Sequence, residues 1–310
     1  MRLAIVVPCF NEQDVLPVSA TRLAAVLQKL QDSRKVAADS QIWLVDDGSL
    51  DRTWTIISDL ARNSPRFRGI KLSRNRGHQN ALLAGLLTAE GDAIVSVDAD
   101  LQDDLQAIEQ MVDAFLSGSE VVYGVRSSRA TDTLFKRGTA QSYYRILKAF
   151  GVDVVYNHAD FRLLGRRAVE ALREFSEVNL FLRGVVPLLG YPTAIVEYNR
   201  GERFAGESKY PLRKMLALAV DGITSFSAAP LRFIAMIGII VFLLSIAMTL
   251  WVLWIRLVSD RAVPGWASSV IPIYFLGGLH LLSIGVLGEY VAKLYLEAKR
   301  RPRFIIDHIV

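Results

Sequence analysis

The sequence has 310 residues, 52% of them hydrophobic, with a formal net charge of +5 and a single cysteine, Cys9. One cysteine excludes an intrachain disulfide framework, and Cys9 lies in an apolar run where an inert core thiol is expected. The apolar content exceeds the roughly 45–50% of an ordinary soluble domain, so we expect membrane segments. The positive charge indicates an anionic partner, either nucleic acid or a phospholipid surface. A basic cluster at Lys299–Arg303 follows an apolar stretch, which favours the membrane surface.

The first 124 residues alternate short apolar runs with helical patterns. The opening run is too short for the apolar region of a signal peptide and is interpreted as a buried strand. This alternation predicts an α/β fold with a mainly parallel sheet, helices on both faces, and ligands at the C-terminal ends of the strands. The predicted strands are Leu3–Val7, Ile42–Val45, Gly69–Leu72, Ala93–Val97 and Glu120–Tyr123. The predicted helices are Val15–Leu30, Thr53–Asn63, Gln79–Ala89 and Leu105–Leu116.

The C-terminal third changes character. Pro211–Ala229 has helical periodicity beside basic residues, which indicates interfacial helices, with an amphipathic core helix as the alternative. Phe233–Ile255 and Trp266–Gly288 contain no charged residue, and each exceeds the ~20 residues that span a bilayer. The positive flanks predict a multi-pass protein of the cytoplasmic (inner) membrane, with its N-terminal domain and its tail in the cytoplasm. The predicted regions are a catalytic domain at 1–210, interfacial helices at 211–232, a two-helix transmembrane region at 233–292 and a basic cytoplasmic tail at 293–310.

Acidic side chains follow the predicted strands. Asp98-Ala99-Asp100 ends one strand, Asp46-Asp47-Gly48-Ser49 ends another, and Asn11-Glu12 follows the first. Oxygen ligands of this kind suit Mg²⁺ or Mn²⁺, and through the metal a diphosphate. An isolated Asp-x-Asp is also a common cap of a strand or helix. Three neighbouring strand ends with acidic groups are less easily explained as caps.

These segments, in this order and spacing, resemble the family 2 glycosyltransferases of the GT-A type. With two C-terminal spans, the chain looks similar to the branch that contains dolichyl-phosphate mannosyltransferases and bacterial polyprenyl-phosphate glucosyltransferases. The resemblance implies a GT-A, Rossmann-like domain and sugar transfer with inversion, and it covers nearly the whole chain. The motifs that carry it are Val7-Pro8-x-Phe10-Asn11-Glu12, Val45-Asp46-Asp47-Gly48-Ser49-x-Asp51, Ser73-Arg74-Asn75-x-Gly77 and Asp98-Ala99-Asp100-Leu101-Gln102-Asp103.

The resemblance also implies site residues at matching positions. Donor binding is expected at Pro8, Phe10, Glu12, Val45, Asp47, Asp98, Ala99, Arg126 and Lys209. Metal binding, by Mg²⁺ or Mn²⁺, is expected at Asp98, Asp100 and Gln102. Catalytic roles are expected at Asp100, Asp160 and Arg203.

Asp160, in Asn157-His158-Ala159-Asp160-Phe161-Arg162, has two alternative roles. It could act as a general base, or it could position the acceptor, the metal or Arg162. A phosphate monoester has a second pKa near 6, so an acceptor phosphate is largely dianionic at neutral pH and needs no strong base. We therefore favour positioning.

Acceptor binding is predicted at Lys136, Arg137 and Arg162. Cations beside the aromatic residues Phe135 and Tyr143 suit either a lipid-phosphate entrance or single-stranded nucleic acid. The downstream apolar spans favour lipid phosphate over nucleic acid.

The resemblance therefore implies hexose transfer, with glucose from UDP-glucose as the first choice, to polyprenyl (undecaprenyl) phosphate at the cytoplasmic membrane face. The alternatives are a GDP-mannose-dependent mannosyltransferase, a relative of processive polysaccharide synthases, and a non-catalytic membrane scaffold. The Gln-x-x-Arg-Trp string of processive synthases does not occur in the sequence. Some relatives form tetramers, so a homo-oligomer is a further expectation.

Overall fold

The structure, a computed structural model, describes residues 1–100, 102–127, 158–177, 182–199, 229–258 and 266–310. The chain divides into two compact units. The first contains Met1–Arg145, Asp153–Pro211 and Arg300–Val310, and the second contains Ile146–Val152 and Leu212–Lys299.

The first unit is an α/β domain built on one eight-stranded sheet. Its strands are β1 (Leu3–Cys9), β2 (Gln41–Asp46), β3 (Phe67–Leu72), β4 (Ala93–Ser96), β5 (Val121–Arg126), β6 (His158–Gly165), β7 (Thr193–Tyr198) and β8 (Ile306–Ile309). Its helices are α1 (Leu16–Asp32), α2 (Thr53–Asn63), α3 (His78–Thr88), α4 (Ala107–Leu116), α5 (Arg166–Arg173) and α6 (Leu182–Leu188).

The sheet is mixed, which corrects the prediction of a mainly parallel sheet. The strand order is β7-β5-β6-β4-β1-β2-β3-β8. The β1, β2, β3 and β4 strands pair in parallel, as does β5 with β7. The β6 strand lies antiparallel between β4 and β5, and β8 lies antiparallel to β3. The sequence pattern identified neither β6, β7 nor β8, so it could not predict the antiparallel pairs.

The core explains why β1 and α3 lie so close together. Every residue of β1 is buried, as expected for a strand covered on both faces. Gly85 of α3 faces this strand, and a Cβ there would overlap Val6 and lie 2.9 Å from Val45 Cγ2. Glycine at this position therefore lets α3 pack directly on β1 and β2, which brings the start of α3 to the ends of those strands.

The C-terminal residues form the edge strand β8 instead of a free extension. Gly69 N–H donates to Val310 O at 2.8 Å, and Val310 N–H donates to Gly69 O at 2.9 Å. Ser73 N–H donates to Ile305 O at 2.9 Å, at the point where β3 ends. Chain segments more than 200 residues apart in sequence thus share one sheet.

The second unit contains two long helices, α7 (Ala229–Val258) and α8 (Trp266–Ala298), which contact each other. They include the predicted spans Phe233–Ile255 and Trp266–Gly288. Within the described residues, one stretch, Leu279–Ala298, is long and apolar enough to cross a bilayer by length and composition. Two membrane spans therefore stay a prediction. Residues 211–228 of the predicted interfacial segment lie outside the described residues.

Candidate active site

The loops after β1 and β2 are tied to each other by hydrogen bonds. Asn11 N–H donates to Ser49 Oγ at 3.0 Å, and Leu50 N–H donates to Asn11 Oδ1 at 2.9 Å. Glu12 N–H donates to Thr53 Oγ1, at the start of α2, at 2.9 Å. These bonds fix the loop around Phe10, whose ring is exposed. The predicted donor residues of this loop therefore lie on a rigid platform.

Pro8 and Val45 are register partners on the paired strands β1 and β2. Both precede the acidic loops by one or two residues, as the motifs predict. Ala99 is buried, and its carbonyl accepts the Ser19 hydroxyl of α1 at 2.6 Å. The main chain of the predicted metal segment is thereby attached to α1.

Asp47 holds the loop at 73–77. Its carboxylate is buried and accepts Arg76 N–H at 2.7 Å and Gly77 N–H at 2.9 Å. Gly48, with φ of +68°, lies against the same loop, and a Cβ there would be 2.6 Å from Arg74 C. Burial raises the pKa of the Asp47 carboxyl, although the two backbone amides oppose the rise. Asp47 thus shapes the loop that leads into α3.

Asp98 and Asp100 follow β4, as predicted. The Asp98 side chain is 38% exposed, with its Oδ1 3.5 Å from His78 Nε2. Partial burial raises the pKa of the Asp98 carboxyl to about 6, although the His78 imidazole opposes the rise. The carboxylates of Asp103, Asp160 and Asp100 raise that pKa further by repulsion. Negative charge is therefore concentrated at this strand end, where a cation would relieve the repulsion.

Gln102 belongs to the same turn. It is buried, and its N–H donates to Asp100 Oδ1 at 3.3 Å. Asp103 accepts the Tyr198 hydroxyl of β7 at 2.5 Å. In the part of the chain that the structure describes, no group of three or more His, Cys, Asp or Glu side chains is placed to hold a metal ion. Two carboxylates remain, which is the number through which Mg²⁺ is commonly held together with substrate phosphates.

Asp160 lies on β6 and is paired with two guanidinium groups. Its Oδ1 is 2.6 Å from Arg162 Nη2, and its Oδ2 is 3.0 Å from Arg183 Nη2. Its main-chain carbonyl accepts the Ser96 hydroxyl of β4. Burial alone would raise the pKa of the Asp160 carboxyl, but Arg183 and Arg162 outweigh burial and lower that pKa well below its usual range. A carboxylate with so low a pKa is a weak proton acceptor.

The prediction that Arg162 binds the acceptor is corrected, because the Arg162 side chain is buried. Its side chain is 1% exposed, and it donates to Asp160 and to the carbonyl of Leu182 at 3.3 Å. A guanidinium enclosed in this way holds Asp160 from the protein interior and does not face a ligand. Arg183, which the sequence patterns did not single out, pairs with Asp160 and is 37% exposed.

His78 links the two acidic centres and was also missed. Its Nε2 lies 3.7 Å from Asp160 Oδ2 and 3.5 Å from Asp98 Oδ1. Its position directly after the Ser73–Gly77 motif was the available signal. The structure thus brings Asp98 and Asp160 together around the first residue of α3.

Several predicted residues cannot be placed. Arg126 is the last residue of β5, where its register partner is Tyr198 of β7. The remaining ones lie outside the described residues: Lys136, Arg137, Arg203 and Lys209.

The family model for glycosyl transferase family 2 matches residues 4–173, which include the ends of β1, β2, β4 and β5 and the whole of β6. The chain belongs to glycosyl transferase family 2. It is therefore a glycosyltransferase, and the predicted GT-A type of α/β fold is confirmed, with a mixed sheet.

Two relatives align with this family 2 glycosyltransferase over nearly its whole length. Uncharacterized glycosyltransferase YkoT of Bacillus subtilis (strain 168) is 48% identical, over 98% of this chain and 91% of the relative. Bactoprenol glucosyl transferase of Shigella phage SfV is 38% identical, over 99% of both chains. Among solved structures, S. aureus TarS 1–349 in complex with UDP-GlcNAc is 18% identical, with a TM-score of 0.48, over 73% of this chain and 66% of that one.

Proposed function

We propose that this family 2 glycosyltransferase transfers a hexose, first choice glucose from UDP-glucose, to polyprenyl phosphate with inversion at the anomeric carbon. The observation that carries the proposal is the 38% identity to a bactoprenol glucosyl transferase over 99% of both chains. That alignment includes both long helices of the second unit as well as the sheet. Undecaprenyl phosphate is the first choice of acceptor.

The donor would bind across the ends of β1, β2 and β4. Phe10 is exposed on a hydrogen-bonded loop next to Asp47, a suitable place for the nucleotide base and ribose. Asp98, Asp100 and Gln102 would hold Mg²⁺ or Mn²⁺, because carboxylate and amide oxygens that follow one strand end are ligands that these cations prefer. The metal supplies positive charge to the diphosphate.

The reaction needs an acceptor oxygen and a stabilised leaving group. A phosphate oxygen of the acceptor would form the new bond to the anomeric carbon while the bond to the nucleoside diphosphate breaks. Since a phosphate monoester is largely dianionic at neutral pH, no proton has to be removed. Asp160 would therefore position its guanidinium partners and would not act as a base, in agreement with its lowered pKa.

Further cations complete the proposal. Arg203 and Lys209, with Arg126 at the end of β5, would stabilise the departing diphosphate, because fixed donors are effective where charge develops. Lys136 and Arg137 would meet the lipid phosphate.

Chain connectivity supports two membrane spans. The chain leaves the first unit after residue 211 and returns to it at Arg300, where β8 joins the sheet. A segment that starts and ends on one side of a bilayer crosses it an even number of times. If α8 crosses, a second crossing is needed, and α7 is long enough to make it because its 30 residues reach about 45 Å. We propose that the first unit and the C-terminus are cytoplasmic, with residues 259–265 outside.

The activity is tested with purified full-length protein, undecaprenyl phosphate and a panel of UDP-glucose, UDP-galactose, UDP-N-acetylglucosamine and GDP-mannose. The expected product is glucosyl-phosphoundecaprenol, identified by mass spectrometry and dependent on added Mg²⁺ or Mn²⁺. A mannosylated product from GDP-mannose would select the alternative donor. Absence of any lipid-linked sugar with all four donors would contradict the proposal.

Topology is tested by cysteine labelling in a Cys9→Ala background. Ser259→Cys should react with an impermeant maleimide on intact cells, and Arg301→Cys should react only after permeabilisation. Equal labelling of both positions on intact cells would rule out the paired crossing.

A further inference from the structure

Arg183 has the structural features of an anion-binding residue. Its guanidinium approaches Asp160 through two nitrogens, Nη2 to Oδ2 at 3.0 Å and Nε to Oδ1 at 3.3 Å. A guanidinium held by its edge in this way has a fixed orientation, and Arg is well suited to phosphate oxygens. The side chain keeps 37% exposure, whereas its partner Asp160 keeps 9%.

The main chain beneath Arg183 is fixed as firmly as its side chain. The preceding residue, Leu182, donates its N–H to Gln79 Oε1 of α3 at 2.8 Å. The Leu182 carbonyl accepts Arg162 Nη1 at 3.3 Å. Arg183 is thus preorganised by α3, β6 and its own helix α6, so little conformational freedom would be lost when a ligand binds.

Asp160 lies between two guanidinium groups that differ in exposure. Arg162 already meets the Asp160 carboxylate from the buried side at 2.6 Å. Arg183 meets the same carboxylate from the exposed side. A second guanidinium on a carboxylate that is already paired indicates that the carboxylate serves the cation, by aiming it.

The place of Asp160, the partner of Arg183, in the strand order indicates which ligand Arg183 would meet. The order β2, β1, β4, β6 places the proposed nucleotide loops first, the metal carboxylates next, and Asp160 last. Arg183, Asp160, His78 and Asp98 form a chain of contacts of 3.0, 3.7 and 3.5 Å. Asp160, which holds Arg183, is therefore separated from the proposed nucleotide loops by the strand that carries the metal carboxylates.

We infer that Arg183 binds a phosphoryl oxygen of the acceptor phosphate and that Asp160 is the residue that orients it. This inference rests on the proposed function, which supplies a phosphate monoester as the acceptor. Arg183 is then an acceptor-binding residue, and Asp160, Arg162 and Gln79 are positioning residues behind it.

Steady-state kinetics with undecaprenyl phosphate and UDP-glucose test the inference. Arg183→Ala should raise the acceptor KM roughly 10-fold or more, the usual scale for a lost bond to a charged group, with donor KM within about twofold of wild type. The acceptor KM of Arg183→Lys, which keeps the charge but not the two-nitrogen edge, should lie between those of wild type and Arg183→Ala. The matched control is Arg167→Ala, an exposed arginine over the Tyr191 ring, which should behave as wild type.

The contrary outcomes are distinct. A rise in donor KM equal to that in acceptor KM would assign Arg183 to the donor site, and unchanged values in both variants would leave it a structural residue; either overturns the inference. If Arg183→Ala unfolds at a markedly lower temperature, the acceptor KM of Arg183→Lys decides.

A binding measurement separates this inference from the proposed function. Geranyl phosphate and geraniol are titrated into wild type and both Arg183 variants by calorimetry, without donor. Phosphate-dependent binding that Arg183→Ala loses supports the inference even if wild type makes no lipid-linked sugar, an outcome that would contradict the proposed function alone. Wild type that binds geranyl phosphate no better than geraniol overturns the inference.

Discussion

The two halves of the sheet hold their buried carboxylates by different means. In the half built from β1 to β4, Asp47 is held by two backbone amides, which lie 29 and 30 residues later in the sequence. In the half built from β5 to β7, Asp160 is held by guanidinium groups on β6 and α6. A carboxylate bound to amides fixes the shape of a loop, whereas one bound to guanidinium groups fixes the direction of cations. By our proposal, the same residue type therefore serves the donor in one half and the acceptor in the other.

Removing the charge of Asp160 should have the largest effect. Asp160→Asn leaves the buried guanidinium of Arg162 without its counter-charge, and breaking a buried pair in this way costs about 3–5 kcal/mol of stability. Activity should fall roughly 100-fold or more, because the aim of Arg183 is lost. Thermal unfolding and turnover of wild type and variant measure the two effects.

The pH dependence of that loss distinguishes positioning from base catalysis. The native pKa of Asp160 is lowered, so its stabilising charge is present above the ordinary aspartate pKa of about 3.9 and is lost only as pH falls toward the native value. Between pH 6 and 9 the carboxylate stays ionised, and the ratio of variant to wild-type turnover should stay constant. Recovery of Asp160→Asn to near the wild-type rate at pH 9 would instead support a general base.

Asp47 in the donor half should give a smaller effect of a different kind. Asp47→Ala removes the acceptor of the Arg76 amide and one of the two acceptors of the Gly77 amide, which also donates to Asn75 Oδ1 at 3.2 Å; stability should fall by about 1–2 kcal/mol at the usual net value of a hydrogen bond. Donor KM should rise about 10-fold, while acceptor KM changes little. Asp47→Asn keeps one acceptor oxygen and should lie between wild type and Asp47→Ala. An acceptor KM that rises as far as donor KM would remove the distinction between the two halves.

Sequence reasoning succeeded where burial and local pattern coincide. The strands β1 and β4 begin at Leu3 and Ala93, as predicted, because continuous apolar runs identify strands that are buried on both faces. The acidic ends of these strands were equally visible, since they follow directly in sequence. Fold type and the position of the acidic segment Asp98–Asp100 could therefore be predicted.

Sequence reasoning failed where distant residues determine the structure. β6 carries Asp160 and Arg162 at buried positions, and charged residues in a strand conceal its burial unless their pairing is known. β8 is short and largely exposed, so its pairing depends on the edge of β3. Arg183 belongs to no motif, and its partner is 23 residues away on another element. Only the folded chain shows that these groups meet.

Removal of β8 tests how much the edge of the donor half depends on the C-terminus. Deletion of residues 305–310 removes the bonds from Ser73 and Gly69, for a loss of about 2–4 kcal/mol at the usual net value of a hydrogen bond. The unfolding temperature should fall, and donor KM should rise less than in Asp47→Ala. The control is the double variant Asp307→Ala/His308→Ala, which keeps the strand backbone. Unchanged unfolding of the deletion variant would show that β8 adds no stability.

The smallest effect concerns Cys9, at the end of β1 beneath the donor loops. Its thiol is buried, its Sγ lies 3.4 Å from Val7 O, and burial raises the pKa of the thiol, with the charges of Glu12 and Asp46 raising it further. Since the thiolate is the reactive form, native protein at pH 8 should react with a thiol reagent far more slowly than an exposed cysteine. Leu50→Cys in a Cys9→Ala background is the matched comparison, because Leu50 is 92% exposed on the adjacent loop. Cys9 should react fully once the protein is unfolded in denaturant. Labelling of native Cys9 at the rate of the exposed cysteine would show that this strand end opens. That result would contradict the description of the loop around Phe10 as rigid.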